Sequence, residues 1–197
     1  MRTYIVDDIR TIVESIRAKN AIAYGNGEND VILYGGSLSD QIEYNEETLP
    51  PYYMHGHRLE IANKLLEHDK DMVRKFQKYP LIALRQDISE GVKDYNEYKL
   101  NIIIVTYTDP KLKAEQRYES DRPFKSVLYP LYEEFMDALV NSGLFTWPGN
   151  QDYPPHTKID RPYWGTPASE KNEKSIFFDP LDAIEIIDLQ INRMKTC

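Results

Sequence analysis

Two short stretches of this 197-residue chain hold side chains whose types and spacing could do chemistry. In the first, MHGHRLE at 54 to 60, His55 and His57 stand one glycine apart with Glu60 close behind. On an extended strand, residues two apart point to one side, so the two imidazoles could share a metal there. The third ligand would have to be Glu60, His68 or His156, and none lies at a metal-motif spacing. The residues that follow, RLEIANKLL, have a helical period, and on a helix positions i and i+2 diverge by roughly 200°. The stretch therefore reads as the start of a helix, with Gly56 easing the turn, and no metal or other cofactor is expected.

The second stretch joins Asp87 to Glu97-Tyr98-Lys99 at the start of an apolar run. The spacing resembles the Asp and Glu-x-Lys core of metal-dependent nucleases, in which carboxylates hold a divalent cation and the lysine positions or activates the attacking water. Glu97 and Lys99 would share a strand face, as that chemistry requires. Alternating Glu and Lys also suits a solvated strand end, and the chain has no basic cradle for DNA. YGGSLSD at 34 to 40 lacks the lysine of a phosphate loop, and no Gly-x-Ser-x-Gly elbow occurs. The single cysteine, Cys197, allows neither a disulfide within the chain nor a cysteine metal cluster. Asp182, Glu185 and Asp188 read as solvent-facing charges. The expectation is a protein that is not an enzyme.

The elements that must position these residues follow from periodicity. Tyr4, Ile5, Ile9, Ile12, Val13 and Ile16 recur at spacings of three and four and predict an N-terminal helix, ended by Asn20 and Gly25-Asn26-Gly27. VILYGG at 31 to 36 reads as a short strand, and about 35 to 56 as an extended loop or arm carrying Pro50-Pro51. Leu59, Ala62, Leu65 and Leu66 trace a short helix. YPLIALRQD at 79 to 87 and YKLNIIIVTYT at 98 to 108 predict an antiparallel pair of strands around the turn-rich ISEGVKDYN. A long helix spans 121 to 143, with Asp121 as cap, Pro123 in its first turn and Gly143 just past its end. Pro130 lies inside it and predicts a kink or break near Tyr129. Residues from about 145 to 180 are rich in proline and tryptophan and read as an irregular excursion. DAIEIIDLQIN at 182 to 192 sets Ile187, Leu189 and Ile191 against Asp188, Gln190 and Asn192, a strand with one wet face. The order predicts a single α+β domain over 1–197, a mainly antiparallel sheet with helices on one face.

Composition bounds the function. A net charge of −8, from 32 acidic and 24 basic residues, argues against a grip on nucleic-acid phosphates but suits a surface past which DNA moves. Fifteen tyrosines against six phenylalanines place many aromatics where one end stays wet. No apolar run is long enough to cross a bilayer, and none resembles a signal peptide, so a soluble chain made in the cytoplasm and without a membrane partner is expected. HTKIDRPYWGTP has the Tyr, Trp, Arg and Pro favoured at protein contacts.

KYPLIALRQD, EYKLNIIIVTYTDP, FKSVLYPLYEEFMDAL and DAIEIIDLQIN, in that order, resemble the tail-terminator and tail-completion proteins of tailed bacteriophages. HGHRLEIANKL and HTKIDRPYWG with DPLDAIEI are similar to neck or tail proteins of phages of Bacteroides-type hosts. The resemblance implies a structural virion protein of the neck or tail, assembled in the bacterial host cytoplasm. It implies a homo-oligomeric ring of six- or twelve-fold symmetry whose copies meet head to tail, with portal-side connector and tail proteins as partners. DNA would pass through the channel without specific binding. His55, His57, Tyr163, Trp164, Ile187 and Leu189 are the candidates for the subunit interface. Two alternatives stand beside it: a divalent-metal nuclease using Asp87, Glu97 and Lys99, and a non-viral cytosolic adaptor.

Overall fold

A computed structural model describes residues 4–16, 51–69, 79–92, 95–109, 111–120, 122–164 and 180–194. The strand expected at 31 to 36, most of the arm, Asp121 and Cys197 lie outside the described residues. Over the described residues the chain is α+β, with three α-helices and a mixed sheet of seven strands. Helix α1 is Ile5–Ser15, strand β1 Tyr52–Gly56, helix α2 Arg58–Asp69 and strand β2 Leu81–Arg85. Strands β3 and β4 are Ser89–Val92 and Tyr95–Tyr107. Helix α3 is Tyr129–Asn141, followed by β5, Phe145–Thr146, β6, Thr157–Trp164, and β7, Leu181–Met194.

The sheet runs β1, β2, β4, β7, β5, with β3 beside the first half of β4 and β6 beside the first half of β7. Every pairing is antiparallel except β1 with β2, which run parallel from Tyr52 opposite Leu81 to Gly56 opposite Arg85. Two parallel neighbours need a crossover, and α2 supplies it. The arm expected to reach residue 56 therefore ends in a strand.

Helices cover both faces of the sheet, not one. On the first face α1 and α3 bury Ile9, Val13, Phe135 and Leu139 against Ile82, Leu100, Ile102, Ile104, Ile184 and Leu189. On the second, α2 buries Ile61, Ala62 and Leu65 against Leu81, Ala83, Ile103, Val105 and Ala183. The reason is visible in LIAL of β2 and IIIV of β4, where successive residues on opposite faces are all apolar and all buried. A strand covered on one side only would alternate.

Pro130 acts as expected, through a specific device. A π-helical turn, Phe124–Leu128, precedes α3, and Tyr129 donates its N–H to the Phe124 carbonyl, five residues back. Pro130 has no N–H to give the Ser126 carbonyl, so the wider turn is placed where the α-helical ladder is already interrupted. Gly143 ends the helix at φ +65°, the left-handed conformation a C-terminal glycine accepts without strain.

Strand β7 does not alternate throughout. Leu100 faces Leu189 and Ile102 faces Ile186, so β7 holds one more residue than β4 over this interval. The bulge centres on Asp188, at φ +53°, whose N–H donates to Asn101 Oδ1 at 3.1 Å. It moves the buried set from Ile184 and Ile186 to Leu189 and Ile191. Ile187, expected to share a face with Leu189, is carried to the second face and is only half-buried.

Candidate functional site

His55 and His57 make separate backbone contacts through their Nδ1 atoms. His55 lies in β1 with Nδ1 3.1 Å from the Leu84 carbonyl, to which it donates. His57 caps α2: its Nδ1 accepts the Leu59 N–H at 3.2 Å, and Glu60 reaches back to accept the His57 N–H at 2.8 Å. This is a reciprocal cap, two otherwise orphaned donors satisfied by side chains three residues apart. Gly56 is part of the device. At φ +148° it sits where a Cβ would come within 2.7 Å of Glu60 Oε2. His68 belongs to another contact, with Nε2 3.1 Å from the Tyr52 hydroxyl. Among the described residues, no three His, Cys, Asp or Glu side chains gather as a metal site.

The nuclease-like residues are spread along a hairpin. Ser89 of β3 faces Lys99, and Gly91 faces Glu97, whose carboxylate lies across that glycine. Asp87 comes before β3 and pairs with Arg85 at 3.7 Å. Asp87 stands four residues before Gly91, the residue opposite Glu97, outside the hairpin ladder that holds Glu97 and Lys99.

The strongest polar centre was not legible as one. Arg117, on a one-turn helix at Glu115–Tyr118, is fully buried, and so is Asp182 at the start of β7. Arg117 Nη1 meets Asp182 Oδ1 at 2.5 Å and Thr108 Oγ1 at 3.1 Å, and Nη2 donates to the Leu112 carbonyl at 3.0 Å. Asp182 was expected to face solvent. It instead accepts the Tyr163 N–H at 2.9 Å as well as the guanidinium. Tyr163 is thereby fixed from three sides. Its backbone takes φ +58°, its ring lies 3.7 Å from the Arg117 guanidinium carbon, and its hydroxyl donates to the Leu112 carbonyl at 2.7 Å. Even so, Tyr163 is 41% exposed.

A second polar group lies between α3 and β6. Tyr129 donates to Asp160 Oδ2 at 2.6 Å, with Lys158 Nζ 4.0 Å from the Tyr129 ring centre. His156 donates from Nδ1 to the Pro154 carbonyl at 2.7 Å, which leaves Nε2 to accept the Tyr132 hydroxyl at 2.7 Å. Tyr153 donates to Asp137 Oδ1 at 2.6 Å. Residues 151–156 border a shallow hollow of about 460 Å³. Burial first, and then the Asp160 carboxylate, pushes the Tyr129 hydroxyl well above the usual tyrosine range. Burial raises Tyr132 and the Asp137 bond raises Tyr153. At neutral pH these hydroxyls act as hydrogen-bond donors that dock β6 on α3, not as phenolate nucleophiles.

The interface candidates fall in three settings. Leu189 is fully buried beneath α1 and α3, with no surface left for a second chain. Trp164 is 7% exposed, stacked beside Arg58 at 5.3 Å and donating to Glu185 Oε1 at 3.2 Å. His57 and Tyr163 are exposed, while His55 and Ile187 are half-buried. The stretch expected to be irregular thus supplies β5 and β6, the latter pairing with β7 from Thr157 opposite Ile187 to Trp164 opposite Leu181.

No protein-family model matches this chain, and no curated protein or solved structure matches it either. Among the described residues no helix is long and apolar enough to cross a membrane.

Proposed function

We propose that this chain is a structural virion protein, a ring-forming subunit of the neck or tail of a tailed phage that joins the portal side to the tail around a DNA channel. The single observation behind this reading is the order of elements: an N-terminal helix, the β2 and β4 strands, a long helix entered through a π-helical turn, and a last strand lying against β4. It is the order on which the family resemblance rests. The acidic balance supports the same reading, because a negative wall lets DNA slide without holding it. In this role the chain has no catalytic step and works through contacts with its own copies and with neighbouring rings.

Negative-stain electron microscopy and native mass spectrometry of the purified chain, alone and with extracts containing portal assemblies, test the proposal. Closed rings of one symmetry are expected. A chain that stays monomeric at every concentration and is missing from purified virions would refute it.

A further inference from the structure

Two patches of the described surface hold an exposed tyrosine, one beside a pair of lysines and the other beside a pair of carboxylates. The first is built on Tyr163. Three contacts and a left-handed backbone hold its ring in one place while it stays exposed. The Leu112 carbonyl that receives its hydroxyl is bracketed by Lys111 and Lys113, both exposed and without an ion-pair partner among the described residues. Glu115 and Glu119 follow on the next turn, so the loop carries both signs, with the two lysines flanking the residue that receives the Tyr163 hydroxyl. The second patch is built on Tyr153, 39% exposed, whose hydroxyl is held by Asp137 of α3. Glu133, one helical turn before Asp137, is also exposed, and neither carboxylate has a cationic partner among the described residues.

These patches cannot meet within one molecule. Tyr132 of α3 touches His156 just before β6, Tyr129 touches Asp160 within it, and Asp137 lies further from Asp160 again, so α3 and β6 run in opposite directions. Tyr163 is near the last residue of β6 and Tyr153 lies before its first. The seven residues from His156 to Tyr163 alone span roughly 23 Å. A preorganised tyrosine loses little freedom on binding, which is what makes such residues dominant contacts at interfaces. Opposite charge at the two ends makes one end complementary to the other and repels each end from its own kind.

We infer that the occupant of each patch is the other patch of a second copy of this chain, Tyr163 with Lys111 and Lys113 meeting Tyr153 with Glu133 and Asp137. The contact is head to tail, and it closes into a ring only at a fixed rotation. This inference rests on the ring reading above and names the surfaces that would carry it.

Charge reversal tests it. The variants Lys111→Glu/Lys113→Glu and Glu133→Lys change only exposed side chains and leave the Asp137 bond to Tyr153 in place, and far-UV circular dichroism with thermal melts verifies that each stays folded. Each variant alone is expected to need at least tenfold more protein to assemble, by analytical ultracentrifugation at low salt. Mixing the two, or placing all three reversals in one chain, restores assembly, because opposite charges then face each other again. If the wild type assembles and the reversals leave it unchanged, the contact named here is wrong and the ring reading survives. A wild type that never assembles removes both.

Discussion

Replacing Arg117 by methionine should be among the most damaging single changes in this chain. The guanidinium is fully buried and binds Asp182 Oδ1, Thr108 Oγ1 and the Leu112 carbonyl together. Methionine fills similar volume but leaves a buried carboxylate without its counter-charge, which costs about 3–5 kcal/mol when one partner of a buried pair is removed. At roughly 2–4 °C per kcal/mol for a chain of this size, the melting temperature should fall by about 6–20 °C. The effect belongs to the stranded charge, so Arg117→Met/Asp182→Asn should recover at least about 1.5 kcal/mol of the loss: the amide oxygen can still accept the Tyr163 N–H, and the charge is gone. Urea unfolding at pH 7 measures both variants against the wild type. A single-variant loss below about 1 kcal/mol, or a double variant no more stable than the single, would show that the pair is not the keystone described here.

Three further outcomes follow from the geometry. Gly56→Ala should cost about 1–2 kcal/mol by urea unfolding, because φ +148° strains any L side chain and the added Cβ also displaces the Glu60 carboxylate from the His57 N–H, and Glu60→Ala should relieve only the second part of that cost. Burial raises the hydroxyls of Tyr53 and Tyr129 above the ordinary value of 10.0, so their contribution to stability is intact below pH 10 and is lost as pH rises above it; melting temperature should drop above pH 10, and less steeply in Tyr53→Phe. Asp188→Gly should be neutral or stabilising by up to about 1 kcal/mol, whereas Asp188→Val should destabilise by more than about 1 kcal/mol, since a β-branched residue resists φ +53°.

How far the fold could be read in advance depended on how much of each element is written in local pattern. α1, α2 and β4 declare themselves because a buried face repeats at 3.6 residues, or because a β-branched run has no competing helix signal. β6 carries no such pattern. Its residues, TKIDRPYW, are mostly exposed or half-exposed, and it is a strand because β7 offers an edge to pair with. β1 was hidden for a related reason, being five residues long and following two prolines. The side assigned to Ile187 failed at the bulge, where the doublet Ile186-Ile187 breaks alternation; that doublet was the one local sign of it. Arg117 and Asp182 stand 65 positions apart in polar surroundings, and only the folded sheet brings the arginine to the carboxylate.

The pairing of β4 with β7 also sets how the chain must be built. The two strands match from Tyr95 opposite Met194 to Tyr107 opposite Leu181, yet everything from residue 108 to 180 lies between them. Closing so long a loop delays the central pairing of the sheet, because its entropy must be surrendered before the contacts form. Until β7 is made, the LNIIIV stretch of β4 lacks its main neighbour and offers a β-branched edge to any other strand nearby. Synthesis therefore passes through a stage in which the best-buried segment of the finished molecule is its most adhesive one, and overexpressed chains shortened before residue 181 should collect as aggregates rather than as folded fragments.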